Sequence, residues 1–341
     1  MHEDNHAALE AFLARYAQAS QARLTDIRLM TGGAIQENWA LDIDFTDGPY
    51  AGRVEAVLRK DRTSSVAESL TRAQEFALLQ AAFQAGVTVP EPLFLCETPE
   101  EGPLDTAFFV MRRVTGITAG FKLVRDETLG GGRVQRAEQL GRELARIHKI
   151  QPPRTDLAFL PLPESDPAQH LINKFTRYLN GYHTPRPALY WSLDWLSQHK
   201  PPAPDRLVLC HNDYRTGNYM ISPEKITGIL DWEFAAWGDP LEDIGWFCAR
   251  CWRFGANAYE AGGIGHRADF YHGYEQEAGR QIDRALVPYW EVMETLRWAI
   301  IALQQTERHL SGQETSLELA LTGHILPELE LDLLTMTQEA P

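Results

Sequence analysis

Residues 211–231 constrain this chain more than any other stretch. They read His211-Asn212-Asp213-Tyr214-Arg215-Thr216-Gly217-Asn218, then an apolar run, then Asp231-Trp232-Glu233. One carboxylate stands two residues after a histidine, an asparagine follows five residues later, and a second carboxylate ends the next apolar segment. That spacing fits phosphoryl transfer, which needs a group to orient the attacking hydroxyl and Mg²⁺ to hold and neutralise the nucleotide phosphates. Asp213 suits the first task. Asn218 and Asp231 suit the second, because Mg²⁺ takes hard oxygen ligands and few carboxylates.

The rest of the composition bounds what surrounds this stretch. At 341 residues the chain is long enough for two lobes, each with its own core, and 44% hydrophobic residues suit a packed enzyme-sized protein. A formal net charge of −15 argues against nucleic acid as a partner. It permits a cationic substrate without requiring one, since excess carboxylates also keep a surface soluble. Cys248 and Cys251 form a CxxC, but no second ligand pair stands at similar spacing, and the surroundings are apolar and Trp-rich. Buried thiols are expected, which fits a reducing, cytoplasmic setting. The acidic start Met1-His2-Glu3-Asp4-Asn5-His6 does not read as a secretory signal. Apolar runs such as 298–303 fall far short of the ~20 residues a membrane span needs. No membrane partner is expected, and the oligomeric state stays open.

Local patterning separates two regions. Helix-period apolar residues run over 7–19, and strands are expected over 27–30, 39–45 and 51–58, the last two around an Asp47-Gly48 turn. A helix over 66–85 puts Leu70, Phe76, Leu79 and Phe83 on one face and ends near Gly86. Strands over 93–96 and 107–110 complete a small antiparallel sheet with one helix on it. Residues 115–132 are Gly-rich and read as loop. Helices are expected over 134–149, 241–252, 267–278, 287–310 and 314–337, with Pro-rich loops at 152–167 and 200–204. Short strands over 207–210 and 226–230 lead straight into His211 and Asp231, so both carboxylates sit on loops held by a rigid scaffold. The expected fold class is α+β, with a small nucleotide-binding lobe over 1–114 and a larger helical lobe over 115–341 carrying the catalytic loop and acceptor pocket.

A β-rich lobe, a short connector and a helical lobe with this loop pair resemble the two-lobed protein-kinase-like fold, and most of all the aminoglycoside phosphotransferase and choline kinase group. Residues 211–218 match that group's catalytic loop, and Asp231-Trp232-Glu233 stands where protein kinases carry Asp-Phe-Gly. The run 232–243, with Trp252-Arg253-Phe254-Gly255 and Arg308-His309-Leu310-Ser311-Gly312, resembles a bacterial phosphotransferase branch. That branch includes kinases fused to acyl-CoA dehydrogenases and directed at the hydroxyl of hydroxyacyl-CoA. The resemblance spans most of the chain, residues 20 to 335, and implies ATP and Mg²⁺ as cofactors.

The resemblance also assigns expectations residue by residue. Asp213 is the catalytic carboxylate, and His211 bonds the two loops together. Arg215, between base and metal ligand, has two readings: a partner for a substrate phosphate or carboxylate, or a neutraliser of Asp213's surroundings. Kinases need a strand cation for the α- and β-phosphates, paired to a helix glutamate. Strand alternation puts Arg59 and Lys60 on opposite faces. By analogy with the family's Val-x-Lys pattern, Val57 and Arg59 face the nucleotide, with Lys60 the alternate. Glu75 is the expected partner and Glu68 its competitor. In the turn Thr31-Gly32-Gly33-Ala34, Gly32 and Gly33 would let backbone N–H groups approach phosphate oxygens. Ala34 departs from the family's small polar residue after the glycines. Residues 109–114, Met111 and Val114 among them, are the expected hinge against adenine. Glu233 is a candidate for a substrate cation or second metal, Asp239 for a loop brace, Asp243 for orienting the catalytic loop, and His148 for a helix-dipole partner. Trp246, Trp252, Phe254, Tyr289, Trp290 and Trp298 are expected to be mostly core, with a few lining an acceptor cleft.

The implied function is an ATP- and Mg²⁺-dependent kinase acting on a hydroxyl of a small molecule. Acceptor classes are a hydroxyacyl thioester such as hydroxyacyl-CoA, then an amino sugar, then an amino alcohol. Basic residues around the acceptor mouth would favour the first, and carboxylates the amines. Two rivals from other classes stand beside it: a nucleotide-binding pseudokinase without catalysis, and a metal hydrolase built on His211, Asp213, Asp231 and His148.

Overall fold

The computed structural model describes residues 5–30, 36–61 and 70–339. The turn with Gly32 and Gly33, and Glu68, lie outside the described residues. The chain opens with α1 (His6–Tyr16), then β1 (Ala22–Leu29), β2 (Gln36–Phe45), β3 (Gly52–Asp61), α2 (Arg72–Gln84), β4 (Pro92–Cys96) and β5 (Phe108–Arg112). The strands form one antiparallel sheet in the order β1-β2-β3-β5-β4. Period-two alternation sorts its side chains. Ala56, Leu58, Phe108 and Val110 share a core with Leu9, Phe12 and Leu13 of α1. Val57 and Arg59 point the opposite way and line a cleft. Phe109 packs with Phe76 and Leu79 of α2 in a second core that runs on into the helical lobe. A capping box at Thr71 and Gln74 sets the start of α2 and hence the position of Glu75 one turn in.

The second lobe contains α3 (Gly120–Arg125), α4 (Arg133–Ile147), α5 (Pro167–Gly181), α6 (Pro187–Gln198), β6 (Val208–Cys210), β7 (Tyr219–Ile221), β8 (Ile226–Ile229), β9 (Ala236–Gly238), α7 (Pro240–Cys248), α8 (Arg267–Ala278), α9 (Val287–Leu310), α10 (Leu317–Gly323) and α11 (Leu326–Glu339). The result is a two-lobed α+β kinase-like fold. Two small antiparallel pairs decide the site. β6 pairs β9 and β7 pairs β8. The segment 211–218 therefore leaves one pair and enters the other, and the segment 230–235 does the reverse. Both turns are clamped at each end by the same four strands.

Several expectations need correction. β7 and β9 were not anticipated, because three residues are too few to establish a period. Helix α3 lies in the stretch read as loop. The helix expected over 241–252 ends at Cys248, where Ala249 turns extended (φ −56°, ψ 141°), and a 3₁₀ turn over Arg250–Arg253 follows. That break lets Trp252 fold back on Trp246, ring centroids 4.9 Å apart. The helix expected over 314–337 is two. Gly323 ends the first against α9, where a Cβ would stand 2.3 Å from Thr306 Oγ1, and Pro327 opens the second.

Helices α4 and α8 touch backbone to backbone. A Cβ on Gly141 would lie 2.1 Å from the Phe270 carbonyl oxygen, and one on Gly273 would lie 2.1 Å from that of Glu138. Neither neighbour is a side chain that can swing away. Gly141→Val is expected to lower the free energy of unfolding by about 2–3 kcal/mol, read as a reduced urea midpoint at unchanged m.

Candidate active site

The two turns face a cleft of about 710 Å³ between the lobes. Asn212 and Asp231 both adopt positive φ, 61° and 66°, which side chains with a Cβ rarely do. Hydrogen bonds hold them there. His211 is fully buried, and its Nε2–H donates to the Leu230 carbonyl at 3.0 Å while Nδ1 accepts from the Asp213 N–H at 3.2 Å. Burial pushes this imidazole below its usual pKa although Asp243, Asp213 and Asp231 surround it, so the neutral form that can do both is favoured. The Leu230 N–H donates to the Asn218 carbonyl at 2.9 Å, a second tie between the turns.

Asp213 lies at the centre. Its Oδ1 accepts from Arg215 Nε at 3.0 Å and from the Trp246 indole N–H at 3.1 Å. Its Oδ2 accepts from the Asn218 amide, whose Nδ2 also donates to the Asp213 carbonyl at 3.0 Å. Asn218 is buried behind Asp213 and is not among the residues lining the cleft. Across from it, Arg59 pairs with Glu75 at 3.0 Å and with Asp231 at 2.9 Å. Burial would raise the Asp231 carboxyl, but the Arg59 charge and hydrogen bond, with the Arg215 charge behind them, hold it below the ordinary range. Burial and the Asp231 charge push neighbouring Glu233 up to about 7. Lys60 is not brought to the cleft. It turns to the other face, 3.6 Å from Glu37 and 4.0 Å from Asp105. Met111 and Val114 line the cleft on the hinge side.

Asp243 accepts the backbone N–H of His211 and of Asn212, each at 2.7 Å, and faces His148 Nε2 at 3.1 Å. His148, the C-cap of α4, also bonds Tyr274 through Nδ1 at 2.8 Å and is a buried anchor of this network. Both imidazoles named for a metal hydrolase are thus engaged in holding loops. Asp239 caps α7, accepting the Leu241 N–H at 2.8 Å, and Glu242 returns the bond to the Asp239 N–H at 2.7 Å.

Arg297 escaped the sequence reading, as did the bond from Trp246, expected only as core or cleft lining, to Asp213. Arg297 on α9 donates to the Asn212 carbonyl at 2.8 Å and pairs with Glu294 at 3.1 Å. Trp246 both bonds Asp213 and lies under the Arg297 guanidinium, 4.9 Å from centroid to Cζ, while Arg215 stacks on Trp252 at 4.4 Å. A signal existed: Glu294 and Arg297 form an i,i+3 charge pair on an otherwise apolar stretch of helix.

Residues 26–283 match the model of the phosphotransferase enzyme family, and the chain belongs to that family. Among curated proteins it is similar to acyl-CoA dehydrogenase family member 10 of Mus musculus, 30% identical over 202 residues covering 57% of this chain and 18% of that protein. It is also similar to family member 11 of Gallus gallus, 31% identical over 181 residues covering 50% of this chain and 22% of that one. The chain spans about a fifth of the length of these relatives. In fold it is similar to a Ralstonia eutropha protein classed with the aminoglycoside phosphotransferases (TM-score 0.74, 23% identity, 98% of each chain). A Mesorhizobium loti choline/ethanolamine kinase family protein (0.57, 18%, 97% of this chain and 94% of that one) shares the fold. So does a spectinomycin phosphotransferase solved with ADP and spectinomycin (0.60, 13%, 97% and 98%). Among the described residues, no helix is long and apolar enough to cross a membrane.

Burial lifts the Glu294 carboxyl from 4.5 to about 7, against the opposing pull of Arg297. The folded state then holds a proton that the unfolded state has lost, so this group favours folding below about 4.5 and the benefit disappears as pH rises through about 7. Glu294→Gln removes the ionisation. Its stability relative to wild type is expected to improve from pH 5 to pH 8, read by urea titrations at both.

Proposed function

We propose that the protein transfers the γ-phosphoryl group of ATP, with Mg²⁺, to a hydroxyl on an acyl or other anionic small molecule. The observation that carries this reading is the convergence of Asp213, Asn218 and Asp231 from two turns clamped by the same strands. In the reaction the acceptor oxygen bonds to the γ-phosphorus, the bond from that phosphorus to the β–γ bridging oxygen breaks, and ADP leaves with the electron pair. Asp213 orients the hydroxyl and receives its proton. Arg59, held by Glu75, neutralises phosphate charge. It suits the role because its planar fork serves a phosphate and a carboxylate together. Met111 and Val114 border the adenine. The lobes divide at Val114, just past the end of β5.

The donor set fits a hard divalent cation. Asp231 favours its charged form, and with the Asn218 Nδ2 turned to Asp213 the amide oxygen is left for a metal. When bound, Mg²⁺ would neutralise phosphate charge there. The reducing cytoplasm suits four free cysteines.

Charge around Asp213 supports the acceptor class. Arg215 and Arg297 flank it, and Trp246, Trp252, Trp298 and Ile301 give the wall beyond an apolar character. Beside Asp213 an ammonium group would meet Arg215 and Arg297, whereas a thioester carbonyl, carboxylate or phosphate would meet donors; Glu233 and Glu318 also line the cleft. The acyl-CoA names of the curated relatives point the same way.

Asp213→Ala is expected to cut turnover by about 10²–10⁴-fold while ATP still binds in calorimetry. Transfer near the wild-type rate would refute the role. A screen of ADP release against hydroxyacyl-CoAs, aminoglycosides and amino alcohols should select the first class. Arg215→Gln is then expected to raise KM for that acceptor and leave KM for ATP unchanged. Turnover with amines alone would overturn the acceptor assignment.

A further inference from the structure

The Asp213 carboxylate is held unequally. Two donors, Arg215 Nε and the Trp246 N–H, converge on Oδ1 at 3.0 and 3.1 Å, whereas Oδ2 takes the Asn218 amide. A carboxylate oxygen offers two lone-pair directions. Oδ1 is therefore filled, and Oδ2 keeps one direction free. The peptide just before Asp213 is gripped on both sides. Its carbonyl, that of Asn212, accepts from Arg297 Nη2 at 2.8 Å, and its N–H donates to His211 at 3.2 Å. The Arg297 guanidinium also lies over the Trp246 ring, so the two devices support each other. Glu294 fixes Arg297 from below at 3.1 Å.

We propose that Trp246 and Arg297 are positioning residues of the transfer reaction, which lock the Asp213 carboxylate so that Oδ2 is the oxygen presented to the acceptor hydroxyl. The inference rests on the assignment of Asp213 as the hydroxyl-orienting group. Trp246 acts on the carboxylate itself, and Arg297 acts on the strained peptide that carries it, Asn212 being at φ 61°. Neither residue needs to touch nucleotide.

Trp246→Phe keeps a ring under Arg297 and against Trp252 and removes the N–H donor. In Mg-ATP turnover with water as the acceptor, kcat is expected to fall roughly ten- to a hundredfold, part of what a general base contributes, with KM for ATP unchanged. Arg297→Gln should behave alike, and Arg297→Lys should recover part of the loss by restoring a cation and donor. In an Asp213→Asn background, Trp246→Phe is expected to cost nothing further, since its target is gone. An undiminished kcat in Trp246→Phe overturns the proposal. So does an equal loss in the Asp213→Asn background, or a loss carried by KM for ATP, because either marks general packing. If Asp213→Asn itself turns over normally, the assignment beneath the proposal fails instead. A crystal structure of Trp246→Phe provides the arm independent of turnover: a rotated Asp213 carboxylate is expected, and an unmoved one sinks the idea.

Discussion

One buried carboxylate holds the site together. Asp243 is fully enclosed, and burial alone would favour its neutral form. The hydrogen bonds from the His148 side chain and the His211 backbone N–H outweigh that and keep its pKa below the ordinary value. An ionised carboxylate there has lone pairs that only fixed donors can satisfy, and two of these are the backbone N–H groups of His211 and Asn212. The positive φ of Asn212 is tolerable because these bonds overdetermine it. Asp213 projects into the cleft because the residue before it is pinned in this way.

A second constraint runs between the lobes. Arg59 reaches Glu75 on α2 through Nε and Asp231 on the turn after β8 through Nη2. A lysine ammonium is a single point of charge, whereas a guanidinium presents separated donors that can serve two carboxylates at once. An arginine on this strand therefore links sheet, helix and the turn of Asp231 in one unit. The same pairing recurs around Asp213 with Arg215 and around Glu294 with Arg297. The cleft is lined by opposed charges whose neutrality is local, and a ligand that enters must exchange partners with them.

Much of this was legible in the sequence. The spacing of His211, Asp213, Asn218 and Asp231 identified the two turns, because phosphoryl transfer needs those groups in that order. Alternation along β3 puts Arg59 and Lys60 on opposite faces, since one residue of offset flips a strand side chain, but only the family resemblance favoured Arg59 over Lys60. What sequence could not supply was contact between distant helices. Trp246 reads as one more apolar residue on α7, and Arg297 lies 84 residues beyond Asp213 on a helix whose register against the catalytic turn is set by packing. The short strands β7 and β9 were invisible for another reason: each is stabilised by its partner strand and not by local preference.

The charge of the whole chain does not describe the charge of the cleft. At −15 the surface repels phosphates at long range, yet that field is screened within about 8 Å at physiological salt. Inside the cleft the nearby groups decide, and there Arg59, Arg215 and Arg297 stand together with Glu75, Asp213, Asp231, Glu233 and Glu318. Net acidity, which on its own would suggest a cationic acceptor, is therefore a weak guide. For an ammonium to bind beside Asp213 it would have to displace two guanidiniums already paired or stacked, Arg215 on Trp252 and Arg297 on Trp246. The acyl acceptor proposed above can lay its apolar part on the indoles, and its oxygens can exchange for partners that these guanidiniums now hold. The local arrangement, and not the global sum, is what an acceptor reads.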